Sequence, residues 1–500
     1  MWRCAISRSR ALLIFLSVIL TTINLPILPG VSALRTNASA AGGGQAATSG
    51  PHLTEFTGAG SFSITRANGQ TACRKATAEA AVQMRQRDLT RPLHIISAVH
   101  SDQLHTDAVT TEATSSLQIT LRGTQQLENF PAAKAAFLNA AAAWQALIDA
   151  PISVVVDVDF GPTWFGESYD AKTLGETDSQ VLGDASIYSD VRTALLANQS
   201  TNLQSSTFGL LPQTSVPTNL GSTTYILAPS ATWRALGLIN PIADPAGEKQ
   251  TLGSPPAIGF NSKWDFDFDP SDGIDPNKLD FNAVATHEIG HALGFVSNVG
   301  DLELDRTDPV AVSIWDIFRF RPGMTLDSFA SAKRILSSGG SQDFFFAGQE
   351  VALSTGRPDG TGGDKEQASH WKDDALTGVH IGIMDPTLGD GRQESITDND
   401  LMALNALGYR LKSDLANPAA PTITNVIYNG VKLKIKGKGF SGTLQVEING
   451  VMVAPPLDFS LSGKKLQIKA DAASLNLQTG TNQIRVLNNG VQSNTFALSL

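Results

Sequence analysis

His287-Glu288-Ile289-Gly290-His291-Ala292-Leu293-Gly294-Phe295 is the stretch on which the reading of this chain turns. Two histidines four residues apart lie one above the other on a helical face, so both imidazoles can reach one ion. Glu288 can then reach a water held beside that ion. Asp280 is a good N-cap for a helix over Phe281–Phe295, and Gly294 closes it. Given the chain's own His and Glu frequencies, chance would produce this five-residue pattern in roughly a few per thousand such sequences.

A catalytic zinc takes three protein ligands and keeps a position open for water. The chain has eight histidines, and downstream of His291 only His370 and His380 remain. A glutamate ligand would have to come from a helix well beyond the motif. Glu303 is too near, and Glu350 and Glu366 lie on no convincing helix. His370 stands in Ser369-His370-Trp371, upstream of Gly382-Ile383-Met384-Asp385-Pro386, and is the better placed; His380 lies only four residues before Met384.

Outward from the motif the pattern is α+β. Ser116–Leu121 alternates as a strand, Pro131 opens an Ala-rich helix over Ala132–Ile148, and Ile152–Phe160 (ISVVVDVDF) is a strongly β-branched strand. Further strands are expected at Thr223–Leu227 and Ala257–Asn261. Residues 299–365 read as an irregular insertion with short helical pieces at Val312–Arg319 and Leu326–Leu336. A last helix, Asp398–Leu407, begins with Thr397 and Asp400 as a capping box. Together these define a catalytic unit over 115–416. From Asn417 onward short alternating runs separated by Asn-Gly and Gly turns predict a β-sandwich over 417–500.

Arg3, Arg8 and Arg10 precede the apolar run from Ala11 to Leu20, and Val31-Ser32-Ala33 suits signal peptidase, so residues 1–33 read as a cleaved signal peptide and the product as secreted, extracellular or periplasmic. No other stretch is apolar enough to span a membrane. Residues 34–57 read as a disordered Ala/Gly/Ser/Thr linker. Residues 58–114 read as a pro-like segment with a strand at Ser61–Thr65, a helix at Arg74–Asp88 and three solvent-facing histidines, His94, His100 and His105.

The composition closes off other classes. In 500 residues, 42% hydrophobic and 17% charged, there is no heptad or collagen period. The net charge of −10 lacks the basic footprint of a nucleic-acid binder. No phosphate loop or G-x-S-x-G occurs. Of the two cysteines, Cys4 leaves with the signal peptide and Cys73 stays alone. A lone thiol ahead of a zinc site could ligate the metal and hold a latent precursor, with Arg74 beside it to favour the thiolate. Asp265, Asp267, Asp269, Asp272 and Asp275 form an acidic turn weighed as a Ca2+ site, although Pro270 stands where an EF-hand needs glycine.

These residues carry a resemblance. His287–Ser297 (HEIGHALGFVS) begins like the metzincin motif, but Ser297 stands where most metzincins place the third histidine, which excludes the astacin and matrixin subgroups as close relatives. The chain resembles the leishmanolysin subgroup, in which a long insertion precedes a third histidine followed by Trp and a methionine-containing turn. Bacterial secreted proteins of this type share the Ile-Met-Asp-Pro turn and a terminal Asp-Leu-x-Ala-Leu-x-x-x-Gly-Tyr helix, here Asp400–Tyr409.

The resemblance covers about residues 115–415. It implies a zincin fold, a twisted mixed sheet with an active-site helix, and a zinc-dependent endopeptidase acting on protein or peptide substrates. Zinc would sit on His287, His291 and His370, with Glu288 as the base that activates its water and Met384 as an apolar floor. No tyrosine donor carries over, because Pro386 occupies that position. The last domain resembles an immunoglobulin-like IPT/TIG module through Gly437-Lys-Gly-Phe440 and Ile448-Asn-Gly450, which would suit cell-surface or polymer contact. The competing class is a non-enzymatic adhesion protein with a structural zinc; an intact Glu288 argues against it, since a structural site needs no base.

Overall fold

The structure, a computed structural model, describes residues 53–55, 60–67, 70–76, 78–85, 92–96, 116–199, 202–412 and, with short gaps, 421–500. The signal-peptide reading of 1–33, most of the linker, His100 and His105 lie outside the described residues.

Seven strands form the central sheet: β1 (Ser61–Ala67), β2 (Gln70–Lys75), β3 (His94–Ile95), β4 (Gln118–Gly123), β5 (Ser153–Gly161), β6 (Thr173–Asp178) and β7 (Ala257–Asn261). Their order is β2-β1-β6-β7-β5-β4-β3. The middle strands β7, β5 and β4 are parallel; β6, β1 and β2 add antiparallel on one side and β3 on the other. Every residue of β5 is buried, as expected of a strand covered on both faces. Its two carboxylates are answered: Arg122 Nε donates to Asp157 at 2.8 Å, and Asp159 accepts from Thr124 and from the Phe160 and Phe165 amides.

Between β4 and β5 runs helix α2 (Pro131–Leu147), which follows α1 (Ala78–Arg85) in the chain and starts on proline. Its Ala face, Phe137 and Trp144 are buried against α3 (Phe281–Leu293), where Phe137 meets Phe281 edge-on at 5.1 Å and Trp144 Nε1 donates to Thr286 O at 3.0 Å. Residues 421–500 fold around a separate apolar core of two antiparallel sheets, one led by Thr422–Tyr428 and Lys432–Lys438, the other by Leu444–Ile448 and Thr481–Asn488. The whole is a mixed α+β protein, and no described helix is long and apolar enough to cross a membrane.

Several sequence expectations need correction. The stretch read as a helix from Arg74 continues as strand β2 to Lys75, and the helix begins only at Ala78, because residues 70–75 find a partner in β1. Within the stretch read as pro-like, β1 and β2 extend the central sheet beyond β6, and β3 pairs at its other side. The expected linker includes an ordered end, since Thr54–Glu55 pairs with Val181–Asp184. His94 is buried, not solvent-facing; it meets Glu128 Oε1 at 2.8 Å while Lys134 Nζ holds Glu128 Oε2 at 2.7 Å, so the ring completes a buried charge pair.

In the insertion, Val312–Ser313 is a strand pairing with Ile226–Pro229, followed by one 3-10 turn at Trp315–Phe318. The second helical piece shrinks to Leu326–Ser328. Aromatic packing replaces helix there: Trp315, Phe318, Phe329 and Phe344 are fully buried, and backbone amides find carbonyls in neighbouring segments.

Candidate metal centre and its surroundings

Asp280 caps α3 by accepting from the Ala283 amide at 3.0 Å, and Gly294 ends the helix at φ +134°, a conformation side chains resist. The last helical carbonyl is answered from two directions, by Thr232 Oγ1 at 3.0 Å and Tyr409 OH at 2.7 Å. So the Gly-Tyr that closes the terminal helical motif anchors the end of α3.

His287 and His291 project from one face of this helix, and His370 arrives from the far end of the insertion. Among the described residues, Cys73, His287, His291 and His370 offer ligand atoms that all lie within 4.8 Å of one another, and all four residues are buried. Each imidazole is oriented by a backbone carbonyl at Nδ1: Ile383 O at 2.8 Å for His287, Phe295 O at 2.6 Å for His291 and Gln367 O at 2.8 Å for His370. Nδ1 therefore carries the proton in each ring, and the three Nε2 lone pairs converge.

Two of them, on His287 and His370, stand 3.2 Å apart, and Cys73 Sγ lies 3.9 Å from the third, on His291. Lone pairs aimed at one another in a dry site repel; a cation among them turns that repulsion into ligation. Burial keeps the rings neutral, pushing His287 down to about 4, His370 down to about 3 and His291 well below its ordinary value. Burial and the carboxylates of Glu288 and Glu366 push the Cys73 thiol up, so a thiolate here needs a positive partner. The residues fit a tetrahedral ion with three nitrogen ligands and one sulfur.

Glu288 is 1% exposed and stands apart from the four ligands; its Oε2 has no hydrogen-bond partner among the described residues. Burial raises its carboxyl to about 8, offset in part by the Thr177 hydroxyl beside it. It lines a cavity with Cys73, His287, Ile64, Pro386 and Leu388. Thr177 and Phe62, whose ring stacks on His291 at 4.3 Å, are site neighbours that no sequence signal announced.

His380 is absent from this cluster and belongs to a different group with Asp374 and Asp385. Ser297 joins the ends of the insertion. Its amide donates to Ser369 Oγ at 2.8 Å and its hydroxyl to Asp316 at 2.8 Å. Arg319, fully buried on Asp316, reaches Ala368 O, so the segment leading to His370 is held from both sides.

Met384 is fully buried directly under the helix: a Cβ on Gly290 would lie 2.5 Å from its sulfur, so the turn of helix between the two histidines must be glycine. The turn holding Met384 hangs on Asp400, which accepts from Trp371 Nε1 at 2.7 Å, the Ile383 amide at 2.9 Å and the Thr397 amide at 2.7 Å. Replacing Asp400 with alanine strands those donors. It should destabilise the fold by about 3 kcal/mol or more, measured by denaturant unfolding, and loosen metal retention because His287 is oriented by Ile383 O.

Cys73 is placed by its strand. Its amide donates to Pro386 O at 3.3 Å, while two residues earlier the Thr71 hydroxyl and Leu388 exchange hydrogen bonds of 2.9 Å. Ion pairs clamp the hairpin at either end, Arg66 to Asp390 at 2.6 Å and Lys75 to Asp301 at 2.7 Å. The acidic turn weighed for calcium turns inward on itself. Asp267 accepts from the Asp269 and Asp275 amides and Asp269 from the Ser271 amide, and the metal-competent groups among the described residues lie elsewhere.

No known protein-family model matches this sequence, and neither does any curated protein.

Proposed function

We propose that the protein is an exported zinc-dependent endopeptidase, metzincin-like and similar to the leishmanolysin subgroup, held latent by Cys73. The observation that carries the reading is the convergence of three oriented Nε2 lone pairs beside an unpartnered buried carboxylate, Glu288. A structural site would have no use for the latter. His287, His291 and His370 would hold the zinc, and zinc, when bound, lowers the pKa of water and polarises a carbonyl.

The chain's own residues do the rest. Glu288, next to His287 and lining the cavity, takes a proton from water and returns it to the leaving amine. The carbonyls of Ile383, Phe295 and Gln367 keep each imidazole in the ligating tautomer. Met384 closes the floor against Gly290 and keeps water out from below. Peptide substrates would lie in the cavity that Ile64, Thr71 and Cys73 now wall off, which makes the hairpin of β1 and β2 an internal inhibitor and Cys73 the group standing where water must enter. The C-terminal sandwich, read as IPT/TIG-like, is the proposed contact with a cell surface or polymer.

Metal analysis of the purified full chain tests the ligand set. Zinc content should fall by one ion per chain in His287→Ala and equally in His370→Ala. Content unchanged in both variants contradicts the assignment.

A further inference from the structure

A second cluster lies in the segment that follows the third histidine. Asp374, His380 and Asp385 offer ligand atoms within 4.8 Å of one another. Glu394 stands beside His380, outside that group of three, its Oε1 3.8 Å from His380 Nδ1. The Glu394 side chain is 6% exposed, yet Oε1 has no hydrogen-bond partner among the described residues. Both ring nitrogens of His380 are buried and unpartnered in the same way. Three orphaned polar atoms in one place, with two more carboxylates beside them, are costly unless something binds them. Arg392 pairs with Asp374 and acts on His380 and Glu394 only at longer range, and neither ring nitrogen of His380 nor Glu394 Oε1 has a hydrogen-bond partner among the described residues.

We propose that Asp374, His380, Asp385 and Glu394 form a second metal site, distinct from the three-histidine centre, for a divalent transition ion such as Zn2+. One imidazole with three carboxylates suits zinc or manganese better than calcium, which takes oxygen ligands only. The ion's place in the fold gives it a task. Asp385 follows Met384 directly, the Asp374 amide donates to Asp385 Oδ2 at 3.0 Å, and Asp385 and Glu394 line the same cavity as Glu288. Bound there, the ion ties residues 374, 385 and 394 together and stiffens the wall of the cavity that β2 hydrogen-bonds at Pro386 and Leu388. This inference stands on its own ligands and is independent of the peptidase reading.

Equilibrium dialysis of the full chain against Zn2+, with bound metal measured by mass spectrometry, tests it. His380→Ala and Glu394→Gln should each lower bound zinc by one ion per chain, and the thermal midpoint of these variants should respond less to added Zn2+ than that of the wild type. A chain carrying both His287→Ala and His370→Ala should still hold one ion. That measurement decides the matter even where His380→Ala or Glu394→Gln fails to fold. Zinc content unchanged by His380→Ala and Glu394→Gln, or no ion left in the doubly substituted chain, overturns the proposal.

Discussion

Glu288→Gln should lower the rate of peptide-bond cleavage by roughly 10²–10⁴-fold while leaving zinc content as in the wild type. The expectation follows from position. Glu288 is next in sequence to one ligand and three residues from another, yet it lies outside the group of four atoms that could bind an ion. The side chain lines the cavity instead, and its Oε2 has no hydrogen-bond partner among the described residues. Glutamine keeps the size and the Thr177 contact but cannot take up a proton from water. Burial alone penalises the carboxylate, so the substitution should leave the fold at least as stable. Initial rates on an unfolded polypeptide, with zinc measured on the same preparations, provide the check. An undiminished rate would remove Glu288 from the chemistry.

The second large effect is expected at Cys73. Serine in its place removes a sulfur ligand from the cluster while keeping the strand, the Pro386 hydrogen bond and the two clamping ion pairs. The full-length Cys73→Ser chain should therefore cleave substrate more than about tenfold faster than the full-length wild type, a difference of about 1.4 kcal/mol in the equilibrium between closed and open sites. Trimming the hairpin by proteolysis should raise both proteins to a common rate, because β1 and β2 still cover the cavity in the variant. Equal rates of the two full-length chains, with no difference in the onset of activity, would show that the thiol has no part in latency.

What was legible from sequence is what is local. The cap at Asp280, the turn at Gly294 and the proline that opens α2 specify their helices within a few residues, and β5 is written in β-branched side chains. The pair His287 and His291 is also local, a consequence of helical period. His370 could be chosen over His380 from the neighbouring Trp371, whose indole proves to hold Asp400.

What stayed hidden depends on distant partners. Cys73 was legible as a candidate ligand, but not the strand that brings it to His291 across 218 residues, whose Ala-Cys-Arg-Lys composition reads equally well as helix. His94 becomes a buried residue only because Glu128 and Lys134 converge on it. Asp400 was readable as a helix cap, but its remaining lone pairs go to Trp371 and Ile383, contacts that no periodicity encodes. The insertion folds on aromatic packing and two buried charges, Asp316 and Arg319, rather than on the helical propensity of its short segments.

The most direct test is cleavage itself. The full-length Cys73→Ser chain is incubated with an unfolded polypeptide, with and without a zinc chelator, and the products are identified by mass spectrometry. The account predicts internal peptide-bond cleavage that stops with chelator, returns with added Zn2+ and is absent when Glu288→Gln is introduced in the same chain. Cleavage that persists through both chelation and Glu288→Gln, or no cleavage under any of these conditions, would contradict it.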